Sequence, residues 1–214
     1  MSQNTSSAVM QQRKEPLDSF DYFPTQPWAI RALLERLELR GDLIDREHHV
    51  IEPACGEGYM LRPLREYFER VDGYDIQAMG HGDVADYLWP DGDFQCDWTI
   101  TNPPFRLAQQ FIEKALENSR EGVAMFVRSS FTEGVGRYQQ LFSKTPPFLV
   151  LQFSERVPLF KGRVDPRGGT ATSYCWVVWH KNLGGELTYY DWIPPCRKRL
   201  ERKEDYAPLL MEAS

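Results

Sequence analysis

Asn102-Pro103-Pro104-Phe105 sets a side-chain amide, two prolines and an aromatic ring next to one another. An amide oxygen and a neighbouring carbonyl can accept the two N–H bonds of an exocyclic amine, and the ring can stack on the heterocycle that carries it. Neither proline has a backbone N–H, and a residue that precedes proline is pushed out of the helical region. The stretch therefore ends the apolar run that holds Trp98 and Ile100 and opens it onto a site. Taken by itself, such a tetrapeptide reads equally as a turn with an aromatic.

A second constellation lies upstream. His49-Val50-Ile51 runs into Glu52-Pro53-Ala54-Cys55-Gly56-Glu57-Gly58, and Tyr59-Met60-Leu61 then opens a helical pattern. Glycines let the backbone come close to a ligand, and the start of a helix offers unpaired N–H groups. Asp75 follows about 20 residues later, the offset at which a carboxylate grips a ribose diol in a nucleotide-binding βαβ unit. It ends a second apolar stretch, Val71 to Ile76. Leu61 stands where the dinucleotide fingerprint needs its last glycine, so a ligand with a ribose but no pyrophosphate is expected.

These residues need elements to position them. Thr25 is an acceptable N-cap, Pro27 suits a first helical turn, and Ile30, Leu33, Leu34 and Leu37 recur at helical spacing up to Gly41. Strands are then expected at 48–54, 71–76, 96–102, 122–129, 148–155 and 172–180, with helices near 58–69, 106–119 and 135–144. This alternation predicts an α/β doubly wound sheet with helices on both faces. In such sheets ligands bind outside the carboxyl ends of the strands. Glu52, Asp75 and Asn102 all fall at such ends, so one cleft can collect them.

With those motifs in order, the chain resembles the class I S-adenosylmethionine-dependent methyltransferases, and among them the enzymes that methylate adenine N6. The resemblance covers roughly residues 20–181. Glu52 to Gly58 resembles the family's cofactor loop, Gly73-Tyr74-Asp75-Ile76 its ribose motif and Gly82-Asp83-Val84 its cofactor-adenine motif. Asn102 to Phe105 is similar to its catalytic motif, and Asp21-Tyr22-Phe23-Pro24-Thr25 to the motif that closes over the methionine end of the cofactor. The motif order is similar to the gamma arrangement of small phage or prophage enzymes. The resemblance implies a Rossmann-like seven-stranded mixed sheet and S-adenosylmethionine as cofactor. It also implies that Asn102, Pro103, Pro104 and Phe105 are catalytic. Cofactor contacts are implied for Tyr22, Phe23, Thr25, Glu52, Pro53, Ala54, Cys55, Gly56, Gly58, Asp75, Ile76, Asp83 and Val84.

Charge is distributed unevenly along the chain. The formal net charge is −6, yet residues 120–203 carry 14 Lys/Arg against 7 Asp/Glu while residues 1–119 carry 11 against 21. A basic half beside an acidic half suits a face that meets phosphates. The join from Ser154 to Thr172 is long, rich in Gly and Pro, and basic through Arg156, Lys161, Arg163 and Arg167. In the family this connection faces the substrate. With Arg128 these residues are the expected contacts to nucleic acid, DNA first and RNA as the alternative. A protein glutamine substrate or a non-catalytic module that keeps the fold are further alternatives. No large recognition domain is expected within these residues, so short or relaxed sequence specificity is expected.

Cys55, Cys96, Cys175 and Cys196 are scattered without a CxxC pair, which gives no zinc signature and fits a reducing cytoplasm. No apolar run is long enough to span a membrane. Three segments are expected: a polar, disordered leader at 1–19, a catalytic domain at 20–181, and an extension at 182–214 with an edge strand and a basic tail. Oligomeric state is open.

Overall fold

The computed structural model describes residues 21–41, 43–165, 168–183, 185 and 187–206; the expected leader at 1–19 and Arg167 lie outside the described residues. Leucines at three- and four-residue spacing produce the first helix, α1 (Pro27–Glu38), whose apolar stripe of Ile30, Leu33, Leu34 and Leu37 is wholly buried. Each such side chain taken from water contributes about 1.5–3 kcal/mol. Gln26, not Thr25, holds the N-cap position, and no side chain caps the helix. The Gln26 amide is used elsewhere, as described below.

The sheet then builds in chain order: β1 (His49–Glu52), helix α2 (Leu61–Tyr67), β2 (Arg70–Asp75), β3 (Asp83–Val84), β4 (Cys96–Thr101), helix α3 (Ala108–Asn118) and β5 (Ser119–Arg128). After β5 come a short α4 (Val135–Arg137), β6 (Leu149–Phe153), β7 (Tyr174–His180), β8 (Tyr189–Ile193) and α5 (Arg197–Leu200). Their spatial order is β3-β2-β1-β4-β5-β7-β6-β8. The strands from β3 to β5 run parallel, β7 is antiparallel to both β5 and β6, and β8 runs parallel to β6.

Alternation along β5 sorts the core into two layers. Ala124 and Phe126 join the layer under α1 and α2, while Val123, Met125 and Val127 join the layer under α3. A central strand buried on both faces needs such an apolar run. The result is a Rossmann-like mixed sheet with helices on both faces.

Two expectations need correction. The sheet has eight strands, not seven. The additional strand is the two-residue β3, which pairs with β2 at one edge; the edge strand expected within 182–214 is β8, where Tyr189 to Ile193 find free backbone partners along Leu149 to Phe153. The single helix expected at 135–144 is one short turn of α-helix followed by a π-helical stretch, Tyr138–Phe142.

The segment after β8 is packed into the structure. Arg31, 1% exposed in the middle of α1, donates from all of its guanidinium nitrogens: Nε and Nη2 to Glu66 at 2.9 and 2.7 Å, Nη1 and Nη2 to Asp205 at 2.8 and 2.7 Å, and Nη1 to Leu200 O at 2.8 Å. Tyr206 OH lies 2.9 Å from Gln26 Oε1 and closer to Glu201 Oε1, so its one proton is shared between an amide oxygen and a carboxylate.

Candidate active site

At the carboxyl ends of β1, β2 and β4 lies a cavity of about 390 Å³. Its walls come from the segment Asp21 to Thr25, the turn after β1 (Ala54, Cys55, Tyr59, Met60), the end of β2 (Asp75, Ile76, Gln77, Met79), Asn102 and Pro104 after β4, and Lys161-Gly162.

The turn after β1 is held by its own backbone. Cys55 N–H donates to Tyr74 O at 2.9 Å, and Gly58 N–H donates to Cys55 O at 2.8 Å. Gly56 has φ +51°, and a Cβ there would lie 2.4 Å from the Tyr22 ring, so only glycine lets Tyr22 close over the turn. Tyr22 OH donates to Glu57 Oε2 at 3.3 Å and accepts from Glu57 N–H at 3.2 Å. Gly56 N–H and Gln77 N–H each donate to the Asp75 carboxylate at 2.9 Å, one to each oxygen. The carboxylate is thereby fixed in orientation on the cavity wall.

Asn102 is positioned with equal definition. Its Nδ2 donates to Phe23 O at 2.7 Å, which leaves Oδ1 as the free acceptor, a buried atom with no partner among the described residues. Pro103 is buried beside it, and Pro104 O receives Leu107 N–H at 2.9 Å, turning the chain into α3. Phe105 meets Phe23 at 5.3 Å and Tyr174 at 6.1 Å between ring centroids. The Arg128 guanidinium lies over the Phe105 ring, 4.6 Å from its centroid. The aromatic ring is thus flanked by a cation at the carboxyl end of β5. Thr25, 2% exposed, also lines the cavity with an unpartnered Oγ1.

Glu52 stands behind this wall and does not line it. It is 0% exposed, accepts from Ala54 N–H at 3.2 Å and from the Thr101 hydroxyl, and its Oε2 has no partner. Burial pushes its carboxyl up to about 8, with the nearby Asp75 adding to the rise. Burial therefore favours the protonated form of Glu52, which braces the turn. Because its folded value lies above the ordinary carboxyl value, its contribution to stability is full below about pH 4.3 and is lost as pH rises to about 8, with a slope approaching 1.4 kcal/mol per pH unit in between. Glu52→Gln is expected to flatten the fall of Tm between pH 5 and pH 8 and to melt higher than the wild type at pH 8. Parallel pH dependences of the two melts would refute the assignment.

Other expected positions fall elsewhere. Asp83 and Val84 form β3, paired to Tyr74 and Asp75, and do not line the cavity; Val84 is 62% exposed. Pro53 is buried at the start of the turn. The basic join is not one open patch. Arg156 holds Ala171 O at 3.0 Å and the Ser173 hydroxyl, closing the base of the join. Arg163 lies 5.1 Å from the Phe160 ring centroid and 3.9 Å from Asp165. Lys161 is drawn into the cavity wall instead.

Tyr59, Met60, Gln77 and Met79 are lining residues that motif reading passes over. The available signal was their place immediately after the two motifs, on the turn that must wrap a ligand.

No protein-family model matches the sequence, and the comparison with curated proteins finds no similar one. Solved structures do match. One is a protein from Vibrio vulnificus provisionally named as the modification subunit of a type I restriction enzyme, with TM-score 0.57 and 16% identity over 96% of this chain and 53% of that one. Another is provisionally named an RNA methyltransferase from Pyrococcus horikoshii, with TM-score 0.58 and 16% identity over 80% of this chain and 93% of that one. A third is a type I restriction-modification methyltransferase subunit from Streptococcus thermophilus, with TM-score 0.54 and 13% identity over 79% of this chain and 46% of that one. This chain spans about half the length of the two type I subunits. At these identities the likeness is one of fold, and the fold is the Rossmann-like one of these methyltransferases.

Proposed function

We propose that this chain transfers a methyl group from S-adenosylmethionine to the N6 amine of an adenine in nucleic acid, with DNA as the first substrate. The observation that carries the reading is the Asn102 side chain. Its amide nitrogen is tied to Phe23 O, which fixes its oxygen, buried and without a partner among the described residues, in the wall of the cavity of about 390 Å³.

The cavity suits the cofactor. Asp75, Ile76, Met79 and the segment from Asp21 to Thr25 all line it, and they would hold the ribose hydroxyls, the adenine and the amino-acid end in turn. The cofactor supplies an electrophilic sulfonium methyl. Adenine N6 is a weak nucleophile because its lone pair is delocalised into the ring. Asn102 Oδ1 and the Pro103 carbonyl would accept its two N–H bonds and favour a pyramidal nitrogen; the N–CH3 bond would form as the S–CH3 bond breaks, leaving the neutral thioether S-adenosylhomocysteine, and the surplus N6 proton would pass to solvent. Most of the rate then comes from positioning and fixed dipoles. A base inside a duplex must first be flipped out at a cost of a few kcal/mol. Stacking on Phe105, at about 1–3 kcal/mol per base, offsets part of it.

Adenine in RNA is the second reading, supported by the fold and length shared with the Pyrococcus horikoshii protein. The test is transfer of labelled methyl to unmethylated double-stranded DNA, single-stranded DNA and RNA in parallel, followed by nucleoside analysis. N6-methyladenine in DNA is the expected product. Label in RNA alone moves the assignment to the second reading, and a bound cofactor without labelled nucleic acid refutes both.

A further inference from the structure

The connection between β6 and β7 is tied to the segment that precedes α1 at three points, across about 140 residues of chain. Gly162 N–H donates to Tyr22 O at 2.9 Å. Gln26 Nε2 donates to Pro158 O at 3.0 Å and to Asp165 O at 3.2 Å. Gln26 is wholly buried and its oxygen lies 2.9 Å from the Tyr206 hydroxyl, which also faces Glu201, so this amide bridges three segments. The clamp places Lys161 on the wall of the same cavity as Asp21 and Thr25.

Lys161 is the only basic residue among the described lining residues, and Asp21 and Asp75 are the only acidic ones. Asp75 is oriented by two backbone N–H groups at the end of β2. Asn102 is bonded to Phe23 O, so the reacting end of any ligand lies beside the segment that starts at Asp21. A ligand that reaches from Asp75 past Asn102 therefore ends against Asp21, Thr25 and Lys161. Thr25 Oγ1, buried and unpartnered on that wall, is an independent sign that a polar group belongs there.

We infer that Lys161 is the counter-ion of the cofactor's α-carboxylate, with Thr25 as a hydroxyl partner; this rests on the reading of the cavity as the S-adenosylmethionine site. The amino-acid end of that cofactor is a zwitterion, and a wall with one acid, one base and one hydroxyl matches it in charge and hydrogen bonding. The β6–β7 connection is then part of the cofactor site and not solely a nucleic-acid contact.

Calorimetry on the full chain, with S-adenosylmethionine and its decarboxylated analogue as the two ligands, tests this. Lys161→Ala is expected to weaken S-adenosylmethionine about tenfold, the scale of one hydrogen bond to a charged group, while leaving the affinity for the decarboxylated analogue at the wild-type level. Lys161→Arg keeps most of the affinity for both. Asp75→Ala, which touches the ribose end, is expected to weaken both ligands alike, by about tenfold or more. Equal effects of Lys161→Ala on the two ligands, or none on either, overturn the inference while a weakened Asp75→Ala leaves the cofactor reading standing. A wild-type chain that binds neither ligand overturns both. Loss of nucleic-acid affinity with cofactor affinity intact assigns Lys161 to phosphate instead and overturns the inference.

Discussion

Asn102→Ala is expected to leave S-adenosylmethionine bound and to lower methyl transfer by about 10²–10³-fold or more, the range seen when one fixed polar group is removed from a transition state. The geometry explains why the two effects separate. The Asn102 amide nitrogen is spent on Phe23 O, so the side chain brings to the reaction one oxygen in one place. That oxygen has no partner among the described residues, so the one contact truncation breaks is the donation to Phe23 O. Cofactor affinity is carried instead by the turn after β1 and by Asp75, whose hydrogen bonds do not involve Asn102. The measurement is a single-turnover rate at saturating cofactor and substrate, paired with a cofactor dissociation constant from calorimetry. Asn102→Asp should fail as well, because a carboxylate cannot donate to Phe23 O and its orientation is lost. Turnover of Asn102→Ala within tenfold of wild type would remove Asn102 from the chemistry.

The placement of Asn102, Glu52 and Asp75 at strand ends was legible because it follows from local patterns. Each stands where an apolar run stops, and parallel strands joined by helices put all such stops on one edge. What each carboxylate does was less legible. Glu52 and Asp75 look alike in sequence, yet one is buried behind Thr101, where desolvation raises its carboxyl, while the other is turned onto the cavity by two backbone N–H groups. That difference depends on neighbours many residues away. Lys161 is a similar case: in a basic, glycine-rich join it reads as a phosphate contact, and only the clamp through Gln26 and the Gly162–Tyr22 bond brings it to the cavity. Strand β3 escaped for a different reason. It is two exposed residues long, Asp83 and Val84, too short for any alternation to show, and only pairing with Tyr74 and Asp75 makes it part of the sheet.

Arg31 had no sequence signal at all, since an arginine within an amphipathic helix ordinarily marks its solvated face. Here it is buried, and its removal is expected to cost about 3–5 kcal/mol, because the Asp205 carboxylate, 1% exposed, would be left without its cation. Urea denaturation of Arg31→Ala should show this as a lower midpoint with little change in slope. Arg31→Lys is not expected to rescue, since a single ammonium cannot replace five N–H bonds to Glu66, Asp205 and Leu200 O. The double change Arg31→Met with Asp205→Leu removes the stranded charge and should recover part of the loss. The consequence reaches the site along a traceable path. Asp205 fixes the turn that ends in Tyr206, Tyr206 holds the Gln26 oxygen, and the Gln26 nitrogen holds Pro158 O and Asp165 O beside Lys161. Cofactor affinity should therefore fall in Arg31→Ala even well below its melting temperature, whereas transfer from bound cofactor should change little because Asn102 is anchored through Phe23. A stability loss below about 1 kcal/mol, the scale of an exposed ion pair, would show that Arg31 is no more than a surface contact.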